Sequence, residues 1–192
     1  IDPLACLISE AKTSEYALGN LETLSKILLS KIGENEREVF LPMTGVKCIE
    51  HWFTMTAWSS LCAIYNSISS LNCSEKERNF FFCVFSSILR WVSNADDQTQ
   101  KTCVSGTLPK KPPEVWETFR KALDRAINGV TSLSAHRLGG EVHILNCSAL
   151  EMPIESGKVD LIVTSPPYID SVDYMYNFML EYFWLGPRLG VP

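Results

Sequence analysis

The sequence lacks several features that would assign it to a class at once. Its seven cysteines include no Cys-x-x-Cys pair, and their odd number and scattered positions favour reduced thiols over a disulfide framework. Cys48 and His51 are three residues apart, but no second pair follows, so we predict no metal site. No apolar run reaches the length of a membrane span, because the most apolar stretch, 79–92, is too short. What remains is a globular protein of one domain, or one domain with a helical insertion.

The chain also has fewer basic than acidic residues. The chain has 17 Lys and Arg against 22 Asp and Glu, a formal net charge of −5. Because phosphate contacts need Lys and Arg, this balance argues mildly against extensive contact with DNA phosphates. Basic residues do cluster at 110–111 and at Arg120, Lys121 and Arg125. DNA binding by this chain is therefore expected to be weak, or to depend on residues elsewhere in a longer protein.

The amino terminus lacks a leader pattern. The chain starts at Ile1, and no basic segment followed by an apolar one comes after it. We therefore expect no signal peptide, a cytoplasmic, prokaryote-like location, and an origin in a longer protein. Reduced thiols agree with that compartment.

The most informative stretch is Thr164-Ser165-Pro166-Pro167-Tyr168, which follows the apolar run 159–163. The run predicts a buried strand of a parallel sheet, and ligands of such sheets bind at the carboxyl edge. Each proline fixes its own φ and holds the preceding residue extended. Ser165 Oγ and the Pro166 carbonyl are then two acceptors beside the stacking ring of Tyr168. That set suits a planar heterocycle with an exocyclic amino group.

With these flanks, the stretch 164–168 resembles the catalytic motif of amino-group DNA methyltransferases, which methylate cytosine N4 or adenine N6. The runs 169–174 and 180–186 resemble the continuation of that motif. The resemblance implies S-adenosyl-L-methionine as cofactor, DNA as substrate, and a partial Rossmann-like, doubly wound α/β sheet with a large helical insertion. The catalytic residues that it implies are Ser165, Pro166, Pro167 and Tyr168. Serine at the first motif position slightly favours cytosine N4.

A second stretch, 2–13, resembles the family segment in which a strand leads through Asn-Pro-Leu-Ala into a helix ending Ala-Lys-Thr. The family's ribose-binding acid would then fall one residue before Ile1, so Asp2 is either its neighbour or the ligand itself. The cofactor residues that the resemblance implies are Asp2, Asn146, Ser148 and Thr164. Two family features are missing: an acid near Ser148, and the glycine-rich loop. The only Gly-Gly pair, 139–140, precedes a predicted strand, so the first βα unit is expected to lie upstream.

Hydrophobic periodicity divides the chain into three parts. It predicts helices at 14–32, 54–69, 74–92 and 112–129, the third of them nearly apolar all round and opened by a capping box at Ser74 and Glu77. An exposed loop is predicted at 94–111, and Trp91 and the rings of 182–184 are predicted to pack in the core. Strands are predicted at 141–146 and 159–164, and a last helix at 174–185. Residues 1–13 and 140–192 are thus assigned to the α/β domain, and 14–139 to a mainly helical insertion.

Other functions stay open on the sequence. Similar loops act on RNA or on amide side chains of proteins, so methylation of those substrates is one alternative. A non-catalytic module that binds nucleic acid or a partner is another, favoured by the missing glycine loop and the acidic charge. A purely helical interaction domain, with 165–168 as a simple turn, is the least favoured.

Overall fold

The computed structural model describes residues 2–34, 48–99, 101–106, 109–136, 139–165 and 174–191, and all the regular secondary structure within these ranges is helical. Eight helices lie in these ranges: α1 (Pro3–Thr13), α2 (Leu18–Glu34), α3 (Ile49–Trp52), α4 (Met55–Ser69), α5 (Glu75–Val92), α6 (Val115–Ala135), α7 (Tyr174–Asn177) and α8 (Met179–Leu189). No strand occurs in the described ranges.

The predicted α/β, Rossmann-like sheet is therefore wrong. Both segments predicted as strands, 141–146 and 159–164, lie outside any helix, and no ladder pairs them with a neighbour among the described residues. Instead of being buried, Leu161, Ile162 and Val163 are 78%, 74% and 87% exposed. A pattern of apolar, β-branched residues indicates an extended conformation, but a strand also needs a partner for its backbone groups. The pattern says nothing about whether that partner is present.

The core is organised around α5. This helix packs against α1, α4, α6 and α8, and its side chains are buried on almost every side, with Phe81, Phe85 and Leu89 fully inaccessible. It begins as predicted, with reciprocal hydrogen bonds between Ser74 and Glu77 in a capping box. The predictions of the capping box and of a deeply buried helix are both confirmed.

Arg78 joins the end of α4 to the start of α5. Its guanidinium donates to the carbonyl oxygens of Ile68 (2.7 Å), Ser69 (2.8 Å) and Leu71 (2.9 Å). Carbonyls at the end of a helix have no partner within the helix, and they carry the negative end of its dipole. A positive side chain from the next helix therefore satisfies them and fixes the α4–α5 turn.

The helix ends differ from the predictions at several places. α2 begins at Leu18, four residues after its predicted start, and α6 continues to Ala135, past Gly129, where the sequence predicted its end. The last predicted helix is divided at Phe178 into α7 and α8, and it ends at Gly190, whose φ of 71° is the left-handed conformation typical of a C-terminal cap. Gly186 permits a close approach within α8: an added Cβ would lie 3.1 Å from the backbone oxygen of Val191, which would have to move by a few tenths of an ångström.

Two kinds of feature are missing from the described part of the chain. No helix there combines the length and apolar character needed to cross a membrane. No group of three or more His, Cys, Asp or Glu side chains is placed there to hold a metal ion. The cysteines all carry free thiols.

Candidate methyl-transfer site

The motif is preceded by residues 139–165, which we call the arm. They form neither helix nor strand, and the backbone turns at 149–150 and 156–157. Its last two residues, Thr164 and Ser165, are exposed. Pro166, Pro167 and Tyr168 lie outside the described residues, so the structure does not test the roles predicted for them. The arm thus presents the hydroxyl of Ser165 at a position that a molecule in solvent can reach.

Asp2 acts as the N-cap of α1. Its Oδ1 accepts hydrogen bonds from the backbone N–H of Leu4 (2.9 Å) and of Ala5 (3.1 Å), and also from the hydroxyl of Tyr182 on α8. Asp followed by Pro3 is a common opening of a helix, because Pro at the first position lacks an N–H that would have no partner. The oxygen that the resemblance would direct at a ribose is therefore occupied by α1 and α8.

Asn146 and Ser148 lie in the arm, close to α1. Asn146 is exposed, whereas Ser148 is half-buried and its Oγ accepts from the N–H of Leu150 at 3.2 Å. Between them, Cys147 lies close enough to contribute, after burial and the carboxylates of α1, to the raised pKa of Cys6. The arm therefore passes beside the first turns of α1.

These contacts bring together the stretches that carry the resemblance. α1 packs against α8, and the Tyr182–Asp2 hydrogen bond joins them. The arm runs past α1 near Cys6. The Tyr182–Asp2 hydrogen bond thus links two of the stretches that carry the resemblance, 2–13 and 180–186. No contact that the structure describes brings Thr164 or Ser165 to Asp2.

Two surface clefts border the arm. One, of about 360 Å³, lies between the α1–α2 connection and the end of α6, with Tyr16 and His136 in its wall. The other, of about 760 Å³, opens between Glu10, Lys76 and residues 140–145. None of the described residues predicted to bind cofactor lines either cleft.

The aromatic run of α8 packs inward, as the sequence predicted for Tyr182, Phe183 and Trp184. All three are buried, and the rings of Trp184 and Trp58 lie 4.5 Å apart between centroids. Trp91, which the sequence predicted to be in the core, is 58% exposed. The family-like run after the motif therefore holds α8 in the core and does not present rings to a ligand.

α8 also places an acidic side chain against α5. Glu181 is mostly buried, and this burial raises the pKa of its carboxyl to about 7, against the opposing effects of its own backbone and of Arg90. The Nε of Arg90 is itself buried without a hydrogen-bond partner among the described residues. Sequence reasoning missed both groups, although an arginine near the end of an apolar helix was a visible signal.

Glu181 gives the fold a pH dependence of defined sign. Between its ordinary pKa and about 7 the folded protein holds a proton that the unfolded chain releases, so stability falls as pH rises through this window. Compared with Glu181→Gln, the wild type should lose roughly 2 kcal/mol of unfolding free energy from near pH 5 to near pH 8. Urea unfolding of both proteins at the two pH values measures this. An equal pH dependence in both would contradict the assignment.

Three of the basic residues that the sequence offered for DNA contact form ion pairs. Lys110 Nζ lies 2.6 Å from Asp97 Oδ1. Arg120 and Lys121 both pair with Glu117, at 2.8 Å and 3.2 Å. Lys110 is thus balanced by one carboxylate, whereas Arg120 and Lys121 share one, so part of the positive charge at 120–121 stays unbalanced.

Comparisons with known proteins do not add an assignment. No family model matches the chain, and neither a curated protein nor a solved structure matches it. The function of the chain is therefore inferred from the motif residues and from their surroundings.

Proposed function

We propose that this chain takes part in transferring a methyl group from S-adenosyl-L-methionine to the exocyclic amino group of a base in DNA, cytosine N4 being slightly favoured over adenine N6. The observation that carries the proposal is the stretch 164–168, set between the apolar run 159–163 and the aromatic run of α8. The exposure of Thr164 and Ser165 supports it, because a base must reach the motif from outside.

The chain's own residues act on the base. Ser165 Oγ and the Pro166 carbonyl accept the two amine hydrogens, which directs the nitrogen lone pair away from them and towards the methyl donor. Tyr168 stacks on the base after it leaves the duplex, and stacking is worth roughly 1–3 kcal/mol, comparable with the cost of unstacking. No strong base is needed before attack, so the contribution of these residues is chiefly positioning.

The cofactor is assigned on the resemblance, and the described residues fit it only in part. S-adenosyl-L-methionine supplies an electrophilic methyl group on a sulfonium. Oδ1 of Asp2 is occupied by α1 and Tyr182, and neither of the two clefts beside the arm is lined by Asp2, Asn146 or Ser148. The chemistry that this chain contributes therefore lies at the base, in Ser165, Pro166 and Tyr168.

Partner and location follow from charge and cysteine usage. With a net charge of −5, and with Lys110, Arg120 and Lys121 in ion pairs, the chain offers limited positive charge to phosphate, so we assign most phosphate contacts to a separate target-recognition segment or partner. The free thiols of all seven cysteines suit a cytoplasmic location.

One observation favours a second candidate, a non-catalytic module that binds a partner. The arm exposes consecutive apolar side chains, with Leu150 94% and Val163 87% accessible. Exposed apolar runs of this kind are typical of surfaces that another molecule covers. This candidate predicts no methyl transfer by the chain, so the same experiment separates the two.

The experiment is transfer of label from methyl-labelled S-adenosyl-L-methionine to duplex DNA, with RNA and protein acceptors in parallel. It uses this chain, with Ser165→Ala as the matched control. Label in DNA that is lost in the variant supports the proposal. Label in RNA or protein alone moves the substrate to those classes, and no label in any acceptor rejects the enzyme in favour of the binding module.

A further inference from the structure

A narrow groove runs between α1 and α6. Both helices pack against α5, which forms the floor of the groove. Its volume is about 220 Å³. The two long helices each contribute residues that share one helix face: Phe80, Val84 and Ser87 on α5, and Gly129, Val130 and Leu133 on α6. The groove is therefore a single space enclosed by three helices.

The wall of the groove is almost entirely apolar. Phe80 and Val84 are buried at its floor, with 2% and 4% of their surfaces accessible. The hydroxyl of Ser87 donates to the carbonyl of Val84 at 2.7 Å, so its proton is already used within α5. A molecule that enters the groove is thus stabilised chiefly by burying apolar surface.

Gly129 keeps the groove open. It lies within α6, where a glycine weakens the helix relative to alanine. A Cβ added at Gly129 would meet no atom within 4 Å, so packing inside the protein does not require a glycine here. A longer side chain at this position would extend into the groove, which Gly129 lines. The missing side chain is explained if another molecule uses the space.

One positive charge lies at the rim of the groove. Lys12 lines both the groove and the cleft of about 360 Å³ beside the arm, so the two spaces meet at this lysine. It is exposed and forms no ion pair within the part of the chain that the structure describes. Burial raises the pKa of the Cys83 thiol in the groove and Lys12 opposes this effect, so the charge of Lys12 acts inside the groove.

The acidic side chains nearby lie on the other side of Lys12. Glu15 and Glu141 line the cleft of about 360 Å³ but not the groove. Among the described residues, Lys12 is the one charged side chain in the wall of the groove. An anionic group is therefore favoured at Lys12, at the end of the groove, and disfavoured farther along in the cleft.

Size and charge together define the occupant. An apolar cavity of about 150 Å³ holds benzene, so the groove has room for a chain of roughly eight carbons. An α-helix is about 10–12 Å across with its side chains, which is too broad for this space. We propose that the groove binds a medium-chain carboxylate, with its alkyl chain between α5 and α6 and its carboxylate at Lys12. This inference does not depend on the proposed function.

The test uses octanoate, with octan-1-ol as an uncharged analogue of the same chain length. Gly129→Leu fills the groove with a residue that favours a helix, and Gly19→Leu is its control, since a Cβ at Gly19 of α2 also meets no atom within 4 Å. Lys12→Gln removes the charge, and Lys26→Gln, at an exposed lysine of α2, is its control. Isothermal titration calorimetry gives Kd for each protein and ligand, and urea unfolding verifies the fold of each variant.

We expect the wild type to bind one octanoate, with an affinity that is higher by a factor of about four per methylene than that for hexanoate. Gly129→Leu should weaken the binding of octanoate and octan-1-ol at least tenfold, because its side chain takes the place of the alkyl chain. Lys12→Gln should weaken octanoate about fivefold and leave octan-1-ol unchanged. Both control variants should bind as the wild type does.

Three results would overturn the inference and leave the proposed function standing. One is the absence of saturable octanoate binding by the wild type, and another is wild-type affinity in folded Gly129→Leu. The third is an equal loss of octanoate and octan-1-ol in Lys12→Gln, which would remove the carboxylate from the rim. Self-association of the wild type that Gly129→Leu abolishes, without octanoate binding, would assign the groove to a second copy of the chain and would also overturn the inference.

Discussion

Ser165→Ala is expected to reduce the rate of methyl transfer about 10- to 100-fold while leaving the fold intact. The variant removes one of two acceptors that hold the amine, and loss of alignment at a reacting nitrogen costs rate on this scale. Stability should not change, because Ser165 is exposed. Single-turnover transfer to duplex DNA, with urea unfolding of the same preparations, measures both quantities.

Tyr168→Ala is expected to have an effect of similar size for a different reason. Loss of stacking removes roughly 1–3 kcal/mol of contact with the flipped base, a factor of about 5 to 150. Tyr176→Ala is the matched control, since Tyr176 is also a tyrosine after the motif and is 42% exposed. Unchanged turnover in both Ser165→Ala and Tyr168→Ala would rule out the assigned chemistry.

Trp184→Ala is expected to lower the free energy of unfolding by about 3–5 kcal/mol. Its indole is fully buried, and its ring centroid lies 4.5 Å from that of Trp58, 5.5 Å from Phe85 and 6.1 Å from Phe53. Truncation would leave a cavity where α4, α5 and α8 meet. Because a domain of this size has only about 5–15 kcal/mol of stability, the variant should be close to unfolding. Denaturant unfolding measures the loss.

Two further tryptophan variants make that test specific. Trp91→Ala should be nearly neutral, because its side chain is 58% exposed. Trp184→Phe should cost less than Trp184→Ala, since Trp184 Nε1 is buried without a partner among the described residues and the change removes that unpaired donor. Equal unfolding midpoints for Trp184→Ala and Trp91→Ala would contradict the helical core.

The helices could be predicted because their signals are local. The capping box at Ser74 and Glu77 and the apolar character of 80–89 specify the start and the burial of α5 without reference to the rest of the chain. The ends were harder: α6 passes through Gly129, since a single glycine within a well-packed helix costs only about 1 kcal/mol.

The exposure of 159–163 and the burial of Thr102 could not be predicted, since both depend on distant parts of the chain. The run 159–163 has the composition of a buried strand, but composition does not supply a neighbouring strand. Thr102 has no sequence feature that distinguishes it from a solvated loop residue, and its hydrogen bond to the Asn177 carbonyl follows only from the packing of the two segments. Trp91 was predicted to be buried because it is a tryptophan, but its position on the helix leaves it exposed to solvent.

Of the predicted site, the structure describes only part. Thr164 and Ser165 are exposed as a reactive loop requires, and Asn146 and Ser148 lie beside α1. Asp2 could be recognised from sequence as a helix cap as readily as a ribose ligand, and capping is the role its hydrogen bonds fill.

Identifying the product would show whether the protein methylates an exocyclic amine through Ser165 and its neighbours. DNA treated with the protein and S-adenosyl-L-methionine is digested to nucleosides and separated by mass, with Ser165→Ala treated in parallel. We expect N4-methylcytosine, or N6-methyladenine, from the wild type and at least tenfold less of it from the Ser165→Ala variant. Methylation at a ring carbon, equal yields from both proteins, or no methylated nucleoside would contradict this prediction.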